Sequence, residues 1–414
     1  MNAKRPNKFL PRAASDLIEK ACRMSPVVIV LGARQTGKTT LVRSMPALAD
    51  RRYATLDDVE FRDLAQRDSG RLLEQSDVWT IDEVQRAPDL LLAIKLAVDS
   101  TRPRRPGQFV LTGSANLLMM ERVSESLAGR AVYVSLWPFT RRERAGLGST
   151  GPWSELLARS FGSWIDIMKE HEGPRENWRD AVRAGGLPVP AHELHTEDER
   201  AMWFSGYVQS FLERDLQDLR AIQSLADFRR LMRAASLRLG NLVNQAELGR
   251  DVQMSQPQVH RYLNLLETSY QAVRLPAFSV NRTRRLIKTP KLYWSDPGLA
   301  MHVAGEVDPR GAHLENLVLL DLLVWRDIQP RRPEIFYWRT ATGLEVDFIV
   351  EAGNRLLPIE VKSSARVESS DVQALEAFLD DHSDQAEGGL VLYDGSELKR
   401  LSKRVIAVPW WMAC

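Results

Sequence analysis

Short apolar runs alternate with segments of helical period over the first 145 residues. Residues 27–31 form a β-branched run that ends in a glycine loop, and residues 39–45 then repeat apolar positions at helical spacing. Residues 78–81 and 109–111 are two further short strand-like runs. Between them, 90–98 reads as a helix with Asp89 placed to cap it after Pro88. Such alternation predicts an α/β fold, a parallel sheet covered by helices on both sides. From about Gly146 the pattern changes. Glycine turns at 148–151 and 173–174 punctuate a Trp-rich, mostly helical lid or connector. A Gly-Gly-Leu-Pro turn at 185–188 then precedes a long helix expected over 198–219. Residues 225–295 predict a small helical module followed by a basic hairpin, and the chain from about 310 reads as mixed α/β. The expected domains are 1–145, 146–222, 223–300 and 301–414.

The composition narrows the class without naming an activity. The chain has 414 residues, 44% of them hydrophobic and 27% charged, which describes a globular protein too long for one core. Lys and Arg number 56 against 54 Asp and Glu, a net charge of +2, so any basic surface must be local. Two cysteines, Cys22 and Cys414, make a disulfide framework a poor expectation and a reduced cytoplasmic setting a good one. The basic N-terminus is not followed by an apolar run of signal-peptide length, and no apolar stretch reaches membrane-span length. No membrane role is expected.

The strongest chemistry follows the first strand. Gly32, Ala33, Arg34, Gln35, Thr36, Gly37, Lys38 and Thr39 match G-x-x-x-x-G-K-[ST] in full, and Thr40 continues into the helix. The glycines let backbone amides face phosphates, Lys38 reaches the β- and γ-phosphates, and the Thr39 hydroxyl ligates Mg²⁺. A second signal is independent of the first. The run 78–83 is an apolar strand ending in two carboxylates, with Asp82 expected to hold Mg²⁺ through water and Glu83 to polarise the attacking water. Together they predict ATP hydrolysis with ATP and Mg²⁺ as cofactors. The third strand ends in polar residues, and Thr112, Ser114 and Asn116 are alternative sensors of the γ-phosphate.

With Gln85-Arg86-Ala87-Pro88, Leu127-Ala128-Gly129-Arg130, the turn at 185–188 and Glu213-Arg214-Asp215, the chain resembles the bacterial and archaeal AAA-type ATPases that carry a C-terminal domain of unknown function. The resemblance implies an AAA+ core in which neighbouring subunits complete each other's sites, so a homo-oligomeric ring is expected. It makes Arg130 the candidate finger and Arg214 the candidate lid-side phosphate contact.

Two further features point to DNA. Residues 244–252 and 256–267 have the form of two helices joined by a tight turn. The second buries Val259, Tyr262, Leu263 and Leu266 and presents Gln256, His260, Arg261 and Asn264. Arg282, Arg284, Arg285, Lys288 and Lys291 then fall within ten residues free of acid, which reads as the wing of a winged helix meeting the DNA backbone. Near the C-terminus, Asp347 lies in one strand and Glu360 and Lys362 in the next, a spacing that resembles the PD-(D/E)xK nuclease superfamily, also called restriction-endonuclease-like. Val346 stands where that family often has proline. The resemblance implies Asp347 and Glu360 as ligands of Mg²⁺ or Mn²⁺, Glu315 as an added ligand and Lys362 as the residue that activates water. The combined expectation is an ATPase that positions a winged helix and a nuclease-like domain on DNA. The alternative keeps the ATPase and makes the C-terminal half a non-cleaving DNA- or protein-binding platform.

Overall fold

The computed structural model describes residues 9–101, 103–114, 127–210, 222 and 224–414. They form two compact units. The first runs to Pro138 with short returns at 146–148 and 268–270, and the second holds the remainder.

In the first unit, helix α1 (Ser15–Met24) leads into β1 (Val27–Gly32), α2 (Lys38–Ser44), β2 (Arg52–Thr55), α3 (Val59–Arg67) and α4 (Ser69–Leu73). Then follow β3 (Trp79–Asp82), α5 (Leu90–Ser100), β4 (Phe109–Ser114) and β5 (Ala131–Ser135). The five strands are parallel in the order β2-β3-β4-β1-β5. Every residue of β1, β3 and β4 is buried, which is why these strands read as continuous apolar runs. Ile29, Trp79, Ile81 and Leu111 of the sheet pack with Leu90, Leu91, Ile94 and Val98 of α5 in one core. Asp89 stands at the N-cap of α5 but makes no capping bond. Its backbone is already helical (φ −69°, ψ −20°), which turns the carboxylate away from the first-turn amides.

The second unit contains α6 (Trp178–Ala184) and α7 (Glu197–Tyr207); residues 211–219 of the expected long helix lie outside the described residues. Next come α8 (Leu225–Leu237), α9 (Gln245–Val252), α10 (Gln256–Thr268), β6 (Ala272–Leu275), α11 (Arg282–Ile287), β7 (Lys291–Trp294), α12 (Pro297–Ala304) and α13 (Gly311–Asp327). Strands β6 and β7 pair antiparallel, and a bridge from Leu242 to Lys291 extends that ribbon. A six-stranded sheet follows, built from β8 (Glu334–Arg339), β9 (Glu345–Ala352), β10 (Arg355–Lys362), β11 (Gly389–Tyr393), β12 (Lys399–Arg400) and β13 (Val405–Pro409), with α14 (Gln373–Asp381) before β11. The order is β12-β13-β11-β10-β9-β8; β8, β9 and β10 form an antiparallel meander, and β10, β11 and β13 are parallel.

The expected flanking strands pair as a ribbon, but the basic run between them forms a helix and not an extended wing. Asn281 accepts the Thr283 amide at 3.0 Å and starts α11, an amphipathic turn rather than a wing of uniform charge. One face of it is buried: Arg285, 8% exposed, stacks over Phe278 and Phe336 and pairs with Glu351. Arg282 and Lys288 remain exposed. No described helix is long and apolar enough to cross a membrane, and Cys22 and Cys414 are both free.

The glycine turn after α6 is pinned by one buried carboxylate. Gly186 and Leu187 amides donate to Asp296 Oδ2 at 2.7 and 2.8 Å, and the Leu299 amide donates to Oδ1 at 2.8 Å. A Cβ on Gly185, whose φ is +66°, would lie 2.5 Å from Asp296 Oδ1, so only glycine allows this approach. Burial pushes the Asp296 pKa up, and the converging amides oppose that shift. Asp296→Ala strands three buried donors and is expected to destabilise the second unit by about 3 kcal/mol or more. An unchanged urea midpoint for that unit would count against this account.

Candidate nucleotide-binding site

The loop between β1 and α2 owes its shape to two left-handed residues, Gln35 (φ 59°) and Gly37 (φ 90°), and to one close approach. A Cβ on Gly32 would sit 2.2 Å from the Leu136 carbonyl oxygen, so this position excludes any side chain. The Thr36 hydroxyl donates to the Ala33 carbonyl at 2.9 Å and closes the loop on itself. Arg12, almost fully buried, donates to the carbonyls of Thr36 (2.9 Å) and Trp137 (2.5 Å) and clamps the loop from outside. Sequence reasoning missed Arg12, because nothing local links it to a loop 24 residues away.

Lys38 folds back onto the loop, donating to the carbonyls of Gly32 (3.1 Å) and Ala33 (2.7 Å). Burial lowers its pKa to about 8, partly offset by the nearby Glu83 and Asp82 carboxylates. Thr39 and Arg34 are half-buried, while Gln35 and Thr40 are exposed.

Asp82, 3% exposed, is the hub of the site. Its Oδ2 accepts the Thr39 hydroxyl at 2.8 Å and the Tyr53 hydroxyl at 3.0 Å, and its Oδ1 accepts the Thr112 hydroxyl. The structure thus brings Thr112 to the acidic pair and also sets its hydroxyl 3.3 Å from the Glu83 amide, which donates to it. Ser114 pairs in register with Gly32 and is reached by Gln85, whose amide nitrogen donates to Ser114 Oγ at 2.9 Å and to the Glu83 carboxylate. Asn116 lies outside the described residues. Glu83 itself sits at φ 59°, an uncommon conformation for a non-glycine residue, at the tip of β3. Tyr53 and Gln85 were not among the predicted residues. Tyr53 enters the site only because β2 is the neighbour of β3, which no sequence spacing reveals.

A hydroxyl and a carboxylate 2.8 Å apart are hard oxygen donors of the type Mg²⁺ takes, so Thr39 and Asp82 fit the ion that an ATP site implies. When bound, Mg²⁺ would neutralise phosphate charge. Arg130 lies elsewhere. Its carbonyl accepts from the Val27 amide, at the opposite end of β1 from the loop, and its guanidinium meets both oxygens of Asp99 at 2.8 and 2.7 Å. It is therefore no part of the phosphate site of its own chain. Arg214 lies outside the described residues.

The C-terminal acidic set is arranged differently. Asp347 accepts the Val361 amide at 2.9 Å, Glu315 accepts the Tyr293 hydroxyl at 2.7 Å, and Lys362 donates to Glu360 at 2.8 Å. A residue counted in the basic run, Lys291, is only 3% exposed and sits among these acids: 3.3 Å from Asp347, 4.0 Å from Glu315 and 2.5 Å from Glu345. Burial opposes its charge, but the Asp347, Glu315 and Glu345 carboxylates outweigh burial and raise its pKa. Burial, with the charge of Asp347, also raises Glu315 and Glu360. Among the described residues no group of three or more His, Cys, Asp or Glu side chains is placed to hold a metal. As arranged, these residues do not fit a divalent ion.

The Lys38 environment has a measurable consequence. Phosphates favour the ammonium, so above pH 8 nucleotide binding must return a proton to a lysine that is neutral in the free protein. ATP affinity is expected to fall as pH rises through 8, by up to about tenfold per unit, with proton uptake on binding. Titration calorimetry in buffers of different ionisation enthalpy reads that proton directly; no uptake at pH 8.5 contradicts the assignment.

The sequence matches the description "AAA domain" over residues 24–145, and two domains of unknown function, DUF8612 over 175–310 and DUF4143 over 310–413. The uncharacterized proteins Rv2008c of Mycobacterium tuberculosis and Mb2031c of Mycobacterium bovis are each 31% identical over 410 residues, covering 96% of this chain and 83% of theirs. Among solved structures, the Walker-type ATPase PABY2304 of Pyrococcus abyssi aligns at 16% identity and TM-score 0.45, covering 73% of this chain and 98% of its own. RuvB of Thermotoga maritima aligns at 17% identity and TM-score 0.32, covering 69% and 97%. The assignment rests on the AAA-domain match and on the loop and acidic-pair geometry rather than on these two superpositions. The chain belongs to the family of Rv2008c and is an AAA-type P-loop ATPase.

Proposed function

We propose that this ATPase is a Mg²⁺-dependent switch that acts on DNA through its second unit. In the reading we favour, Lys38 and the loop amides hold the phosphates, and Thr39 and Asp82 hold Mg²⁺. Glu83 polarises water once it leaves Gln85, and Thr112 or Ser114 registers the γ-phosphate. Glu83→Gln should keep ATP binding while turnover drops by about 10²–10⁴-fold. Unchanged turnover would remove Glu83 from the chemistry.

One observation carries the DNA reading. Helices α8, α9 and α10 are followed by the β6–β7 ribbon, the element order of a winged helix, and α10 keeps Gln256, His260 and Arg261 exposed while its apolar face is buried. Arg282 and Lys288 add exposed charge from α11. Arg285 and Lys291 are withdrawn from that set by burial, and the side chain of Arg284 is not described. The order α13, meander, α14, parallel strands is likewise that of a PD-(D/E)xK-like domain. A ring, with Arg130 serving a neighbour's nucleotide, rests on the AAA resemblance alone.

A second reading, docking of a protein on the same face, is favoured by Val280 and Ile287. Val280 precedes the basic helix, Ile287 is its last residue, and both are 79% exposed. Fluorescence anisotropy on labelled duplex and branched DNA separates the two. The DNA reading expects Arg282→Glu with Lys288→Glu to weaken binding at least about tenfold and to lower the salt-dependence slope by about 2, as two lost phosphate contacts require. If DNA alters neither anisotropy nor ATP turnover, that reading is wrong and the protein-docking one stands.

A further inference from the structure

The sequence resemblance asks for a divalent cation among Glu315, Asp347 and Glu360. The structure already holds an ammonium, that of Lys291, against two of them, Glu315 and Asp347. Lys291 opens β7, and its backbone is fixed on both sides, paired with Leu275 of β6 and bridged to Leu242. The flanking bonds are tight: the Val243 amide donates to the Pro290 carbonyl at 2.9 Å, and the Leu292 amide to the Asn241 carbonyl at 3.1 Å. From this fixed origin the side chain runs among three carboxylates, with Nζ 2.5 Å from Glu345 Oε1, 3.3 Å from Asp347 Oδ1 and 4.0 Å from Glu315 Oε2.

The other lone pairs are largely taken. Glu315 Oε2 accepts Tyr293, Asp347 Oδ2 accepts the Val361 amide, and Glu360 Oε1 accepts Lys362, whose ammonium also lies 3.8 Å from Asp371. Arg339 stands 3.5 Å from the second oxygen of Glu345. Glu360 Oε2 is the buried oxygen of the group left without a donor. Gly240 faces Glu315 closely: a Cβ there would come within 3.2 Å of Glu315 Oε2. An ammonium meeting three carboxylates cannot share that point with a divalent ion, because two cations a few ångströms apart at a largely buried site repel strongly.

We propose that the ammonium of Lys291 is the resident counter-ion of the Glu315, Glu345 and Asp347 pocket and takes the position of the metal in a nuclease-like site. The pocket thereby holds a cation of its own without a divalent ion. The same lysine latches the β6–β7 ribbon to β9 and α13, so the pocket's counter-ion belongs to the segment that carries the basic helix. The inference stands apart from the DNA reading, since it concerns what fills the pocket and not what docks outside it.

Mn²⁺ uptake by the full-length, nucleotide-free protein, read by electron paramagnetic resonance of free Mn²⁺, tests this. The wild type and Asp347→Asn should take up the same amount, since only the ATP site contributes. Lys291→Ala should gain one further Mn²⁺ at least tenfold tighter than any C-terminal uptake in the wild type, and Lys291→Ala with Asp347→Asn should lose it again. A wild-type Mn²⁺ that Asp347→Asn abolishes would overturn the proposal, as would a folded Lys291→Ala that gains none. If Lys291→Ala fails to fold, the comparison of wild type with Asp347→Asn still decides, because it needs no lysine variant.

Discussion

Both units of this protein depend on how each buried carboxylate is matched. At about 4 Å and an effective dielectric near 20, a unit charge pair is worth roughly 4 kcal/mol, and removing one partner of a buried pair costs roughly 3–5 kcal/mol. An unmatched acid is therefore not tolerated, and the kind of partner decides what the acid can do. Asp82 is matched by three hydroxyls, Thr39, Tyr53 and Thr112. Hydroxyls carry no net charge and can rotate, so they add no opposing charge beside the carboxylate and can make way for an incoming cation. Asp347 is matched by an amide and an ammonium, Asp296 by backbone amides, and Asp321 by the Gly151 amide at 3.0 Å and the Trp153 indole at 2.7 Å. Those donors are fixed by the chain, and the acids they hold are committed to architecture.

The phosphate loop obeys a related rule. Its amides can face outward only if its carbonyls find partners elsewhere, and Arg12 and Lys38 supply them at Thr36, Gly32 and Ala33. Arg12 is outside the motif by which such loops are recognised. It is as much a part of the loop's shape as the glycines, since it holds the carbonyl that precedes Gly37.

How much was legible in the sequence follows from the range of each interaction. The glycine loop, the acidic pair and the parallel sheet are local patterns, and the residues 32–39 and 82–83 stand where the pattern puts them. The meander carrying Asp347, Glu360 and Lys362 was also readable, because strand alternation is a local property. What misled was charge. Arg285 and Lys291 sit in a run without acids, and a run of that kind reads as solvated. Their partners, Glu351 at 66 residues' distance and Asp347 at 56, belong to a sheet that the run itself does not announce. Tyr53 was hidden for the same reason: strand order, not spacing, puts its hydroxyl on Asp82.

The Asp296 carboxylate and the glycine turn it holds lie 110 residues apart. During synthesis the turn therefore emerges long before the acid that orders it. The sheet of the first unit has all its strands by Ser135 and can pair while the rest is still being made, whereas the second unit must wait with its glycine turn unsupported. Such distant closure slows folding. The glycine turn at 185–188 is thus ordered only after Asp296 has been made, more than a hundred residues later.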